Sequence, residues 1–353
     1  MPVPNSPPPT SPERLPCRPA EVDDFIGTPP PRVVEVLRDA PGPFVVLGAG
    51  GKIGLHLSIM LRRGLEAAGR RDRVLAVSRF RTLRDRAAFE QRGVDTHACD
   101  LGDDASLAGL PDAPTVFFLA GVKFGTAAAP HVLHAVNVEI PHRVARKFAH
   151  SRIVAYSSGC VYPFVPPASG GAREDTPPAP IGEYAASCIA REQAFTAVAA
   201  ARGTPVVLIR LNYSIEFRYG LLLDIAQAVL ARRPVDVTTG HVNVIWQTDA
   251  VAHSIQALAI AGSPAVPINV TGAGILSVRD IAHRFGAAFG VPVEITGTEA
   301  ETAWLNNASH SHRLFGTPRT SVDQMIGWIA EWLRQGGETW GKPTGFDRRD
   351  GRF

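Results

Sequence analysis

Three glycines, Gly48, Gly51 and Gly54, recur at every third position of "VVLGAGGKIGLHL", between an apolar run and a helical one. That spacing suits one chemistry. The first glycine turns the chain tightly, the second lets bare backbone approach an anion, and the third lets helix and strand pack closely. The N–H groups at the head of the helix can then hold a pyrophosphate, with Lys52 and Ile53 in the same turn. The end of the next strand selects the dinucleotide. A carboxylate there would take the ribose 2′-hydroxyl of NAD, but "LAVSRF" offers Ser78 and Arg79. A guanidinium pairs bidentately with a 2′-phosphate, so the reading is NADP, with NAD second. Asp100 in "ACDLGD" is placed either to accept from an adenine amine or to close a turn.

Other candidate groups carry less. His131 and His134 stand three apart on a helical stretch, and "SHSH" offers His310 and His312. Neither pair has carboxylates or cysteines beside it, so they read as surface histidines and no metal is expected. Cys17, Cys99, Cys160 and Cys188 share no C-x-x-C spacing, which fits free thiols in a reducing cytoplasm.

The elements that must position these groups follow a regular alternation. "FVVLG" reads as a short buried strand, and "RVLAVS", "VDTHA", "TVFFLA", "RIVAYSS" and "PVVLIRL" as further strands. Helices are expected over 52–68, around 82–92, over 131–149 and over 183–201. Strands alternating with helices give an α/β fold, a Rossmann-type doubly wound parallel sheet with helices on both faces. Three regions are expected. Residues 1–42 form a Pro-rich, largely disordered extension, with a short helix in "RVVEVLRD". Residues 43–212 form the dinucleotide-binding domain, and 213–353 are mostly a smaller lobe closing over the strand ends, ending in a polar tail. Thirteen of the thirty prolines fall in residues 1–43, and proline suits neither helix interiors nor central strands.

Composition excludes several classes. Thirty-six basic and thirty-three acidic residues leave a formal charge of +3, too small to imply a nucleic-acid partner. The arginines at 62, 63, 70, 71 and 73, followed by 81, 84 and 86, read as a solvated helix face and loop. No apolar run approaches the ~20 residues needed to span a bilayer, and no signal peptide is read at the N-terminus, so a cytoplasmic location is expected.

On these residues the chain resembles the extended short-chain dehydrogenase/reductase family, the sugar-nucleotide epimerases and dehydratases. The likeness covers roughly residues 43–335. It rests on "GAGGKIG", "CDL", "FFLAG", Val136-Asn137, "YSSGCVYP", the helix of Tyr184, "VLIRLN" and "NVIWQTDAV". "LAGVKF" further resembles a segment of UDP-galactose epimerases whose lysine contacts the cofactor. The resemblance implies an oxidoreductase or epimerase acting on a sugar or other polyhydroxylated carbonyl compound. It implies that Ser158 hydrogen-bonds the substrate oxygen, that Tyr184 exchanges a proton with it, and that Lys123 serves both catalysis and cofactor. It directs Leu101, Ala120, Gly121, Asn137 and Tyr184 towards the cofactor, and Ser158, Asn212, Tyr213, Trp246 and Gln247 towards the substrate. It also implies a homodimer through the helices bearing Asn137 and Tyr184.

One position departs from the pattern. Where the family has a lysine four residues after its tyrosine, binding the nicotinamide ribose and lowering the tyrosine pKa, this chain has Cys188. An ordinary phenol is ionised in only about one molecule in a thousand near pH 7. A neutral thiol does not change that, and a thiolate opposes it. Tyr184 is therefore expected to be a poor base but a competent acid, favouring carbonyl reduction, unless Lys123, Arg191 or the nicotinamide ring supplies charge. Cys188 itself reads as an inert, half-buried thiol on a helix face. The alternative is a dinucleotide-binding sensor or scaffold without turnover. Retention of both Ser158 and Tyr184 favours the enzyme.

Overall fold

The computed structural model describes residues 15–81, 83–125 and 129–352. Seven parallel strands form the central sheet: β1 (Phe44–Leu47), β2 (Val74–Ser78), β3 (Asp95–Ala98), β4 (Thr115–Phe118), β5 (Arg152–Ser158), β6 (Val206–Leu211) and β7 (Val266–Val270). Their order is β7-β6-β5-β4-β1-β2-β3. The chain therefore leaves β1 in one direction to β3 and returns to build outward from β4. The strand order reverses between β1 and β4, the switch point at whose carboxyl ends doubly wound sheets bind ligands. All four residues of β1 are buried, as a strand covered on both faces requires. Phe44 and Val46 join Val33, Leu37, Leu57 and Phe117 in one core. Val45 and Leu47 join Val116, Phe118, Val144 and Phe195 in the other, so the strand's period of two supplies both layers.

Helix α3 (Gly54–Ala67) follows the glycine turn, close to the expected 52–68. Residues 130–147 run as a short helix, a π-turn over Ala135–Glu139, and helix α4 (Ile140–Lys147). The extra residue of a π-turn re-aims side chains, and here Asn137 is fully buried. Helix α5 (Gly182–Arg202) carries Tyr184 and ends at Gly203 in the left-handed region, a glycine stop signal. Helices α6 (Leu221–Leu230), α7 (Gln247–Gln256), α8 (Val278–Phe289) and α9 (Val322–Arg334) follow. Residues from α6, α8 and α9 share a third core around Phe217, Trp246, Phe285 and Trp332.

Three expectations need correction. The expected disorder of the first residues falls, for 1–14, outside the described residues. Beyond them the extension is folded: α1 (Pro19–Ile26) and α2 (Pro31–Asp39) each start on a proline at their first turn, where the missing N–H costs nothing. Val22 and Ile26 enter the third core, and Val33 and Leu37 the first. Each such side chain contributes roughly 1.5–3 kcal/mol. The helix expected around 82–92 is only the single turn Ala87–Glu90. Strand β7 lies within the stretch 213–353 that sequence assigns mostly to the lobe, yet it pairs with β6 over five residues.

Candidate active site

The glycine turn explains its own composition. Gly48 has φ +80°, and a Cβ there would lie 2.5 Å from the backbone nitrogen of Ala120. A Cβ on Gly54 would lie 2.3 Å from the carbonyl oxygen of Ala49. Both positions are closed to any side chain. Gly51 differs: its Cβ would meet only the carbonyl oxygen of Gly48, at 3.5 Å, so its outer face is open. No side chain among the described residues caps the start of α3, which leaves the first N–H groups of that helix for an anion. The residues present fit a pyrophosphate.

The turn is braced from behind. Gln247 Nε2 donates to the Lys52 carbonyl at 3.2 Å and to Nδ1 of His56. The other ring nitrogen of His56 then donates to Asp23 Oδ1 at 2.9 Å. Asp23 also accepts from Arg84 at 2.9 Å and Arg218 at 2.7 Å. Burial would lift the Asp23 pKa, but His56, Arg218 and Arg84 outweigh it and hold the carboxyl well below its usual range. Burial keeps the His56 imidazole neutral by lowering its pKa. A line of buried polar contacts thus runs from α1 to the glycine turn.

At the ends of β2 and β3, Ser78 Oγ accepts from the Phe80 N–H at 3.4 Å. Arg79 and Asp100 are about half exposed and 3.8 Å apart. Asp100 accepts from the Gly102 N–H at 2.9 Å, which is the turn-closing role. Leu101 is buried in the core rather than presented to a ligand.

The ends of β4 and β5 gather the remaining candidates. Asn137 Oδ1 accepts from the Val122 N–H at 2.9 Å, and its Nδ2 donates to the Val122 carbonyl at 2.8 Å. Nδ2 also donates to Ser187 Oγ at 3.0 Å. Asn137 therefore fixes the loop that carries Ala120, Gly121 and Lys123. Lys123 Nζ stands 5.6 Å from the ring centre of Tyr184 and 5.3 Å from that of Phe124. Its pKa is lowered by burial, with Cys160 and Cys188 opposing. Lys52 Nζ lies 3.1 Å from the ring centre of Tyr219; burial, then Lys123 and Lys342, bring it down to about 7. Ser158 Oγ accepts from the Cys160 N–H at 3.3 Å.

Tyr184 packs against both buried thiols, Cys188 in one cluster and Cys160 in another. Burial first, then Cys188 and Cys160, push the Tyr184 phenol well above its ordinary pKa, against the pull of Arg191. Cys188 is fully buried in the cluster that Tyr184 packs against. The neighbouring Cys160 thiol first, and the charge of Arg191, draw its pKa below the usual thiol range despite that burial. Cys160 is correspondingly raised. Tyr184 therefore keeps its proton at neutral pH.

Residues 44–214 match the NAD dependent epimerase/dehydratase family. The chain carries a domain of that family. Solved structures of similar shape include MoeE5 in complex with UDP-glucose and NAD, 21% identical over 84% of this chain and 99% of its own, with a TM-score of 0.66. UDP-glucose 4-epimerase of Thermus thermophilus in complex with NAD is 20% identical over 82% of this chain and 98% of its own, TM-score 0.66. Pal from Bacillus thuringiensis is 17% identical over 82% and 98%, TM-score 0.69. No curated protein matches the sequence.

The residues that the family resemblance directs to substrate are placed unevenly. Trp246 is fully buried and packs edge-on to Phe217 and Trp328, so it is a core residue, correcting the expected pocket role. Gln247 braces the glycine turn instead of facing substrate. Asn212 is buried and donates to the Trp304 carbonyl at 3.3 Å. Tyr213 is half-buried with φ 41°, a strained backbone for a bulky residue. Asp23, His56 and Arg218 went unforeseen, because their contacts span 33 to 195 residues and follow no local spacing.

Proposed function

We propose that the protein is a nicotinamide-dinucleotide enzyme of the extended short-chain dehydrogenase type. It acts on a sugar or polyhydroxylated carbonyl compound, as a carbonyl reductase or as an epimerase working through a keto intermediate. The observation that carries this reading is a phenol, Tyr184, kept protonated at the carboxyl end of the same sheet whose glycine turn is open to an anion. The Gly48–Gly54 turn would hold the pyrophosphate, Arg79 a 2′-phosphate, and Lys123 would stand beside the nicotinamide ribose. The absence of a carboxylate after β2 supports NADP, with NAD as the second choice. A bound nicotinamide supplies or accepts hydride. Ser158 Oγ donates to the substrate oxygen, and Tyr184 gives its proton to the oxygen of the carbonyl being reduced. Solvent then reprotonates the phenolate.

Nucleotide-linked sugars are the first substrate class to try, since MoeE5, whose complex contains UDP-glucose, shares the fold. A homodimer is proposed through the exposed small-residue side of α5, at Ala186 and Ala197, and light scattering tests it. One observation favours a second reading, a dinucleotide-binding sensor: the thiol at position 188 is fully buried and brings no cation. A panel of nucleotide-linked and free keto sugars with reduced NADP separates the two. Substrate-dependent loss of nicotinamide absorbance supports the enzyme; tight cofactor binding without turnover on any of them supports the sensor.

A further inference from the structure

Arg191 lies on α5 seven residues after Tyr184, on the same helical face as Tyr184 and Cys188, and is only 5% exposed. A buried guanidinium is ordinarily matched by a carboxylate. The adjacent Glu192 does not serve, because it is taken by Arg210 at 2.8 Å and by Ser157 at 2.6 Å. Arg191 makes no ion pair among the described residues. Its Nη1 donates to the Tyr156 carbonyl at 3.0 Å and its Nη2 to Asn137 Oδ1 at 2.8 Å, while its Nε has no partner. A Cβ on Gly121 would lie 2.6 Å from Nη2, so the loop after β4 rests directly on the guanidinium.

We propose that Arg191 is the positioning residue that sets the protonation of the reacting end of α5, acting through Asn137, Cys188 and Tyr184. The argument has two parts. A guanidinium only donates hydrogen bonds, so Asn137 must turn its oxygen to Arg191; that choice fixes its amide and with it both bonds to Val122. The uncompensated positive charge also favours the ionised form of whichever group on this face can release a proton. Cys188, three residues before Arg191 on the same helix and fully buried in the cluster that Tyr184 packs against, is that group. Lys123 from the loop after β4, Cys160 and Tyr162 after β5, Glu192 on α5 and Tyr213 after β6 complete the charged and titratable surroundings. Of these only Lys123 is a second cation, and burial weakens its protonation. Arg191 thus biases the thiol towards thiolate while the phenol keeps the proton that it donates.

This rests on the reading of Tyr184 as proton donor, but its test needs no turnover. The purified full-length protein without added cofactor is titrated with base, and thiolate absorbance is followed, with Cys188→Ser as the blank. The same is done for Arg191→Lys, which keeps the charge, and Arg191→Gln, which keeps a donor without it. The expected result is that Cys188 ionises below free cysteine in the wild type and in Arg191→Lys, and about one pH unit or more higher in Arg191→Gln. In turnover, the pH profile of kcat/KM is expected to shift in the Gln variant and to be retained in the Lys variant. Equal titration of Cys188 in the Lys and Gln variants overturns the proposal. So does a wild-type Cys188 that titrates above free cysteine, which needs no variant at all. Failure of every keto sugar to turn over refutes the enzyme reading while leaving the thiol result standing.

Discussion

Asp23 Oδ1 lies 2.9 Å from Nε2 of His56, and this contact joins a helix outside the sheet to the helix that starts at the glycine turn. Asp23 is 5% exposed and also receives Arg84 and Arg218. Asp23→Ala would leave the Arg84 guanidinium without its carboxylate and Arg218 with Glu216 alone, and removing one member of a buried ion pair costs about 3–5 kcal/mol. Urea unfolding is expected to show a loss of that size.

The same carboxylate sets an acid limit. Its folded-state pKa is depressed below an unfolded value of about 3.9, so its contribution is fully present above about pH 5 and lost progressively below it. Unfolding free energies measured between neutral and acid pH are expected to fall over that window in the wild type. Asp23→Asn, already lacking the charge, is expected to show a flatter profile.

Tyr184 predicts an asymmetry in direction. Because its phenol is held above the ordinary range, carbonyl reduction is expected to be level through neutral pH, whereas alcohol oxidation should climb as the solution becomes alkaline. Initial rates in both directions check this. Tyr184→Phe is expected to lower both by about 10²–10⁴-fold. Equal rates in the two directions at neutral pH would count against the account.

The glycine turn separates folding from binding. Gly48→Ala places a side chain at φ +80° against Ala120, and such strain costs of order 1–3 kcal/mol. Gly51→Ala makes only an ordinary contact with the Gly48 carbonyl oxygen and is expected to change stability by no more than about 0.5 kcal/mol. Thermal unfolding of the two variants side by side distinguishes a turn built this way from one in which the glycines are interchangeable.

Arg79 is the test of cofactor choice. Losing a charge-assisted hydrogen bond costs about 1.5–3 kcal/mol, so Arg79→Ala is expected to weaken NADP binding by that amount and to leave NAD binding unchanged. Equal effects on both dinucleotides would point away from a 2′-phosphate contact.

Six of the seven strands were legible, the central ones because "FVVL", "TVFF" and "VVLIRL" are apolar runs bounded by turn residues, whereas β7 was not read. The glycine spacing likewise carries its chemistry locally, and Arg191 was reachable because seven residues are two helical turns. What stayed hidden depends on distance along the chain or on context. Helix α1 was obscured by the prolines that in fact begin it. Asp23 meets His56 and Arg218 only after the lobe has folded. Trp246 looks the same in a sequence whether it lines a pocket or fills a core, and only its packing against Phe217 and Trp328 decides.

The central claim is that the open face of Gly51 receives a dinucleotide pyrophosphate. The most direct measurement is equilibrium titration of the full chain with NADPH and with NADH, followed by nicotinamide fluorescence, for the wild type and Gly51→Asp. Saturable binding at one site per chain, abolished or strongly weakened by the introduced carboxylate, is the predicted result. A flat titration with both dinucleotides, or binding that Gly51→Asp leaves unchanged, would contradict it.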